Sequence, residues 1–215
     1  MSHFITLVFN KENGKTVEQL LAPFDENNVY AAYVQYTKEQ AIKEVRKEID
    51  EYKNGLYAKY LENPKEYEEN CHNKGHIEYL KNEFPKRLNW TDEECYEYMK
   101  KYYSEDMIKK NGDLLSTYNP KSKWDWYSIG GRWDKYLRTL DGKQVNRAYV
   151  SEVDWEDTIP FAFITPNGKW HETGKMGWWA MVSDEKENSD WEREFKEFVD
   201  KLDGDTMVTV IDCHI

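Results

Sequence analysis

The strongest β-patterns of this 215-residue chain lie at its two ends, HFITLVF at residues 3–9 and MVTVIDCH at 207–214. Aromatic and β-branched residues favour strands because they pack well on a pleated surface. Two strands so far apart in sequence each need sheet partners, and pairing them with each other, antiparallel, satisfies both. Between them, residues 37–110 change texture to Glu, Lys and Tyr with helix-start signals and no β-pattern. The expectation is an α+β fold: a single domain over residues 1–215, its mainly antiparallel sheet holding adjacent terminal strands. Helices pack on one side of that sheet, and 37–110 forms a mostly helical insertion after a second strand.

Local signals fill in this outline. Residues 16–22 read as a short helix stopped at Pro23, and residues 30–36 (YAAYVQY) as the second strand. Thr37-Lys-Glu-Gln40 and Thr91-Asp-Glu-Glu94 have the form of capping boxes, in which the threonine hydroxyl and the acid or amide three residues on satisfy each other's backbone N–H. Pro64 opens another helix, and Pro166-Asn167-Gly168 predicts a tight hairpin between 159–165 and 169–172. Residues 176–182 read as a strand, and Ser189 as the cap of a helix over 190–202 whose Trp191, Phe195, Phe198, Val199 and Leu202 share a face.

Composition narrows the partners. Charged residues make up 33% of the chain, which taken alone leans toward disorder, but 15% aromatic residues supply a core. A net charge of −11 repels long polyanions, so duplex or extended nucleic acid is not the expected partner. No apolar run approaches the ~18 residues of a membrane span, and the N-terminal stretch has no basic region followed by a cleavage site. Three cysteines without framework spacing fit reduced thiols, and the expected location is the cytoplasm.

Against this acidic background stands the segment KSKWDWYSIGGRW, residues 121–133. Six basic residues oppose three aspartates over 117–143, a local charge of +3. Gly130 and Gly131 let the backbone adopt positive φ and approach a ligand closely. Lys121, Lys123 and Arg132 could hold phosphate, Arg132 through a planar two-pronged contact. Trp124, Trp126, Tyr127 and Trp133 offer flat faces on which a base could stack, and His171 could join the same pocket with Lys175 and Gly177-Trp178-Trp179. A small anionic ligand, most readily a nucleotide, fits this chemistry better than a polymer. A second reading of the same residues stays open: Trp124 and Trp126, two apart on one strand face, would be core, Arg132 an ion-pair partner and Gly-Gly a turn.

The segments MSHF at 1–4, LAPFDEN at 21–27, NPKSKWDWYSIGGRW at 119–133 and DCHI at 212–215 resemble a family of uncharacterised proteins of bacteriophages and other mobile elements. The resemblance touches both ends of the chain, and 37–110 looks particular to this member. It implies a setting in the host cell, with host physiology or host defence, including nucleotide second messengers, as the target.

A second constellation comes from the histidines. If the terminal strands pair antiparallel, His3 and His214 meet at one sheet end, with Asp212 on the face of His214. Such a group could bind a metal or act as an acid–base pair, which makes His3, Asp212 and His214 the candidate catalytic residues of a phosphodiesterase-like hydrolase. Cys71-His72-x3-His76 with Cys95 has zinc-type ligands without a paired-cysteine knuckle, so no metal is expected there, and no cofactor motif is present. Whether a ligand would be turned over or only bound stays open. The reading from another class is an inhibitor that docks an acidic, Tyr-rich surface of 37–110 on a host protein.

Overall fold

The computed structural model describes residues 2–176 and 182–215, which divide into two units. The first is made of Met1–Val29 and Tyr118–Ile215, the second of Tyr30–Thr117. The architecture is α+β.

In the first unit β1 (His3–Asn10) is followed by α1 (Val17–Leu21), whose first turn is closed by a capping box between Thr16 and Gln19. After the second unit come β4 (Trp126–Ile129), β5 (Leu137–Arg138), β6 (Gln144–Val145) and β7 (Arg147–Tyr149). Then follow β8 (Ala162–Ile164), β9 (Trp170–Glu172), β10 (Lys175–Met176), β11 (Val182–Ser183), α8 (Asn188–Val199) and β12 (Met207–His214). The terminal strands pair antiparallel over their whole length, from His3 opposite His214 to Asn10 opposite Met207. They form the middle of a six-stranded sheet of order β4-β12-β1-β8-β9, with β7 also paired to β12. Among the described residues, only the β1–β8 pairing of this sheet is parallel.

Both faces of this sheet are covered, where the sequence predicts helices on one side. Ile5, Leu7, Phe9, Val208 and Val210 point into a core with Trp191, Phe195 and Val199 of α8. Phe4, Val8, Ile211 and Cys213 point the other way, onto Val17, Leu20 and Leu21 of α1. The reason is in β1 itself: its six consecutive residues from Phe4 to Phe9 are all buried, as a strand enclosed on both faces requires. The hairpin over Pro166-Asn167-Gly168 forms, with Ala162 opposite Glu172 and Gly168 at φ +89°. The helix α8 starts earlier than predicted, with Glu187 rather than Ser189 at its N-cap position. The strands β10 and β11 pair antiparallel with each other, and the strand expected over 176–182 falls on residues 177–181, with Trp178 and Trp179, which lie outside the described residues.

The second unit holds β2 (Tyr33–Tyr36), α2 (Lys38–Tyr52), α3 (Ala58–Glu62), α4 (Pro64–Asn70), α5 (Lys74–Glu78), α6 (Phe84–Arg87), α7 (Asp92–Lys100) and β3 (Leu114–Ser116). Both capping boxes, at Thr37 and at Thr91, are formed. The strand β2 pairs with β3 as a two-stranded ribbon and is not part of the main sheet. Val45, Ile49, Phe84 and Cys95 form the centre of its helical core, around which Tyr52, Tyr57 and Tyr79 pack.

Candidate functional site

One end of the main sheet gathers the four segments MSHF, LAPFDEN, NPKSKWDWYSIGGRW and DCHI. Ser2 and Ile215 exchange both backbone hydrogen bonds, extending the β1–β12 ladder to the chain ends. Beside them, β12 pairs with β4, placing Trp126 opposite His214 and Ser128 opposite Asp212. The loop before β4 is fastened to the LAPFDEN turn by Asn119, which is fully buried and whose amide donates to the carbonyls of Pro23 and Asp25. Glu26 N–H donates to Trp124 O, and the Asn27 amide donates to Asp125 O.

Because side chains alternate along a strand, His3, Asp212, His214, Trp126 and Ser128 share one face at this sheet end. His3 Nδ1 lies 2.9 Å from Asp212 Oδ1, and Asp212 Oδ2 accepts the backbone N–H of Arg132 at 2.9 Å. His214 Nδ1 lies 2.6 Å from Asp125 Oδ1. An ionised carboxylate only accepts, so each pair holds the ring proton on Nδ1 and leaves Nε2 with its lone pair when the imidazole is neutral. The two rings meet edge to face with centroids 4.9 Å apart. Trp126 stacks on His214 at 5.0 Å and 19°, and meets His3 edge-on at 5.4 Å. Asp212 and His214 are buried, at 2% and 5% exposure, and His214 Nε2 is a buried atom without a hydrogen-bond partner.

Glycine chemistry sets the turn that supplies the Arg132 N–H. Gly131 sits at φ +52°, and a Cβ there would lie 2.4 Å from Asp212 Oδ2 and 2.6 Å from Ser128 Oγ. Gly130, at φ +73°, faces the Asn146 amide just as closely. The close backbone approach expected of these glycines is therefore made onto the protein's own carboxylate and amide.

The aromatic–glycine segment divides between site and core. Trp124 and Trp126 do not share a face as the sequence predicts. A bend at Asp125 breaks the alternation before β4 begins, so Trp124 is buried in the α1-side core while Trp126 keeps 45% of its surface exposed. Tyr127 packs on Trp124, with centroids 5.0 Å apart, and Trp133 packs against the α8-side core; both are half-buried. Lys123 is half-buried and paired to Glu172 at 2.5 Å, a carboxylate that also accepts from Trp170 Nε1. Lys121 and Arg132 are exposed, and among the described residues the Arg132 guanidinium makes no ion pair and no side-chain hydrogen bond.

His171 does not join the cluster. Its ring lies flat on Phe163, at 4.6 Å and 4°, and Nδ1 bonds Glu194 Oε1 at 2.8 Å. Burial pushes the Glu194 carboxyl up, but Lys186 and His171 outweigh it and hold the group below its ordinary range. Phe163 is opposite Leu7, four residues along β1 from His3, so His171 sits about 13 Å further along the sheet. His76, from the zinc-type motif, has Tyr52 and Tyr67 hydroxyls at its two ring nitrogens, and no group of three metal-type side chains is placed to hold an ion among the described residues. Asp125 is the site residue that sequence reasoning left unassigned; its only signal is its place between two tryptophans immediately before a strand.

Comparison with protein-family models, with curated proteins and with solved structures finds no match. No helix among the described residues is long and apolar enough to cross a membrane.

Proposed function

We propose that the protein binds a small phosphate-bearing ligand of nucleotide size at the sheet end marked by Trp126 and Arg132. The resemblance to phage proteins points to a host cytoplasm, where such binding interferes with a host or host-defence pathway. The observation that carries the reading is the exposed Trp126 ring on the His3–His214 cluster, together with an exposed Arg132 whose backbone is fastened to the same cluster by Asp212 and whose guanidinium has no ion pair among the described residues. Trp126 offers a stacking face, while Arg132 and Lys121 supply the positive charge that phosphate requires. Trp124 and Tyr127 in the α1-side core, Trp133 against the α8-side core and Lys123 in its pair with Glu172 are engaged within the protein and are assigned no contact with the ligand. Titration calorimetry with mono-, di- and cyclic nucleotides tests it. Saturable binding is expected, weakened about 5- to 150-fold by Trp126→Ala, corresponding to roughly 1–3 kcal/mol for one stacked base. Absence of binding to every nucleotide would refute it.

The histidine pair favours a second reading, phosphoester hydrolysis at the same sheet end. His3, oriented by Asp212 and neutral, would take a proton from water as its oxygen bonds to phosphorus; the ester P–O bond breaks and the leaving oxygen takes the Nε2 proton of His214, which enters the step as the imidazolium and leaves it neutral. Arg132 would stabilise the charge that develops on the phosphoryl oxygens. Because His214 Nε2 is buried, this reading requires Trp126 to move aside. Product analysis with wild type, His3→Ala and His214→Ala decides between the two: cleavage abolished in both folded variants establishes hydrolysis, and intact nucleotide recovered from wild type leaves a binder.

A further inference from the structure

The opposite end of β1 borders a cleft of about 480 Å³, within the range of small-molecule sites. It lies between the entry to α1 and β7, on the face of the sheet that carries Val8 and Thr209. Asn10 and His3 are seven residues apart on β1, which separates this cleft from the histidine cluster by about 23 Å.

Two of its walls hold buried polar atoms without partners. Thr209 is fully buried and its hydroxyl has no hydrogen bond, and Asn10 Oδ1 is in the same state. Orphaned buried polar atoms are costly unless something else completes them. The same cleft is lined by Lys15 and Arg147, whose charged groups form no ion pair or hydrogen bond among the described residues. Three carboxylates also line it. Glu152 accepts Tyr149 N–H, and Glu18 is held below its ordinary range by its own backbone N–H and the Thr16 hydroxyl, with a smaller contribution from Arg147. Glu12 makes no hydrogen bond or ion pair among the described residues.

We infer that this cleft is a second ligand site, for a small polar molecule that carries an anionic group beside an N–H donor. Lys15 and Arg147 take the anion, as carboxylate or phosphate; Asn10 Oδ1 and Glu12 accept the N–H, and the Thr209 hydroxyl donates or accepts between them. A free α-amino acid and a mononucleotide share this chemistry. The inference is independent of the Trp126 site.

Calorimetric titration of wild type, Arg147→Ala, Thr209→Val and Trp126→Ala with the four 5′-ribonucleotide monophosphates and with the α-amino acids tests it and separates the two sources. One set is expected to contain a ligand with a single binding step whose Kd is raised at least tenfold by Arg147→Ala and by Thr209→Val and unchanged by Trp126→Ala; a nucleotide that also occupies the Trp126 site shows a second step, which Trp126→Ala alone weakens. Arg147 has an exposed side chain, so that variant keeps the fold. Thr209→Val is expected to raise the melting temperature of the free protein, since it removes an orphaned hydroxyl, while it weakens the complex. No saturable binding from either set would overturn the inference. Binding indifferent to Arg147→Ala, or lost only in Trp126→Ala, would overturn it as well.

Discussion

The sheet-bearing unit and the helical unit differ in what they bury: every buried polar or charged residue among the described ones, from Ser2 and Thr6 to Asp212 and His214, lies in the unit formed by Met1–Val29 and Tyr118–Ile215. So does every buried polar side-chain atom without a partner. The buried residues of Tyr30–Thr117 are apolar, aromatic or cysteine, and the hydroxyls of Tyr60 and Tyr96 are bonded to Glu68 and to Gly112 O. Charge follows the same division: Tyr30–Thr117 has 18 acidic and 15 basic residues, net −3, so most of the −11 belongs to the sheet unit. Burying polar groups costs stability unless something is gained from them. The sheet unit carries that cost and the helical unit does not, which locates specific chemistry in the former.

The largest effect that would sharpen this comparison is expected from Gly131→Ala. The new methyl would collide with Asp212 and Ser128 at a positive φ, and relieving the collision displaces the carboxylate that holds His3 and the Arg132 N–H. Strain together with a lost charge-assisted hydrogen bond gives a loss of about 3–5 kcal/mol, read from urea unfolding. A loss below about 1 kcal/mol would mean that the sheet end is loosely built.

Asp212→Ala should follow, with about 3 kcal/mol, because it leaves the His3 Nδ1 and Arg132 N–H donors unpartnered inside the protein. Asp212→Asn retains an acceptor and should cost less. Equal losses in the two variants would show that the cluster contributes shape rather than hydrogen bonding.

How much of this was legible beforehand depends on how local the signal is. The terminal pairing, the Asn-Gly hairpin and both capping boxes follow from alternation, turn chemistry and spacing within a few residues. The meeting of His3, Asp212 and His214 follows from strand register once that pairing is assumed. The split between Trp124 and Trp126 depends on a bend at Asp125, which is stabilised by bonds to His214, Asn27 and the Asp25 turn. Those contacts are remote in sequence and leave no periodic trace. The Lys123–Glu172 pair and the parallel β1–β8 contact are non-local in the same way. The β2–β3 ribbon joins strands from both ends of the helical segment, which no pattern internal to either strand announces.

A smaller effect, read against pH, comes from Cys213. Burial pushes its thiol up to about 12 from an ordinary 9.0. Between those values the unfolded chain releases a proton that the folded chain keeps, so the unfolded state binds fewer protons and stability falls as pH rises, by about 1.4 kcal/mol per unit. Below about pH 9 the contribution is constant. The difference in unfolding free energy between wild type and Cys213→Ala, followed from about pH 8 to about 10.5, should shrink with this slope. A difference independent of pH would mean that the thiol ionises within the folded sheet.

The smallest effect tests the helical unit by the same substitution that damages the sheet unit. Gly55 lies in a helical turn over Lys53–Tyr57, without positive φ, and a Cβ there meets nothing within 4 Å. Alanine removes unfolded-state freedom without creating a contact, so Gly55→Ala should stabilise by about 0.5–1 kcal/mol. Set beside Gly131→Ala, the opposite signs would separate a glycine retained for a close approach from one that the backbone does not need. Destabilisation at Gly55 would break the comparison, because it would place in the helical unit a steric demand that its packing does not show.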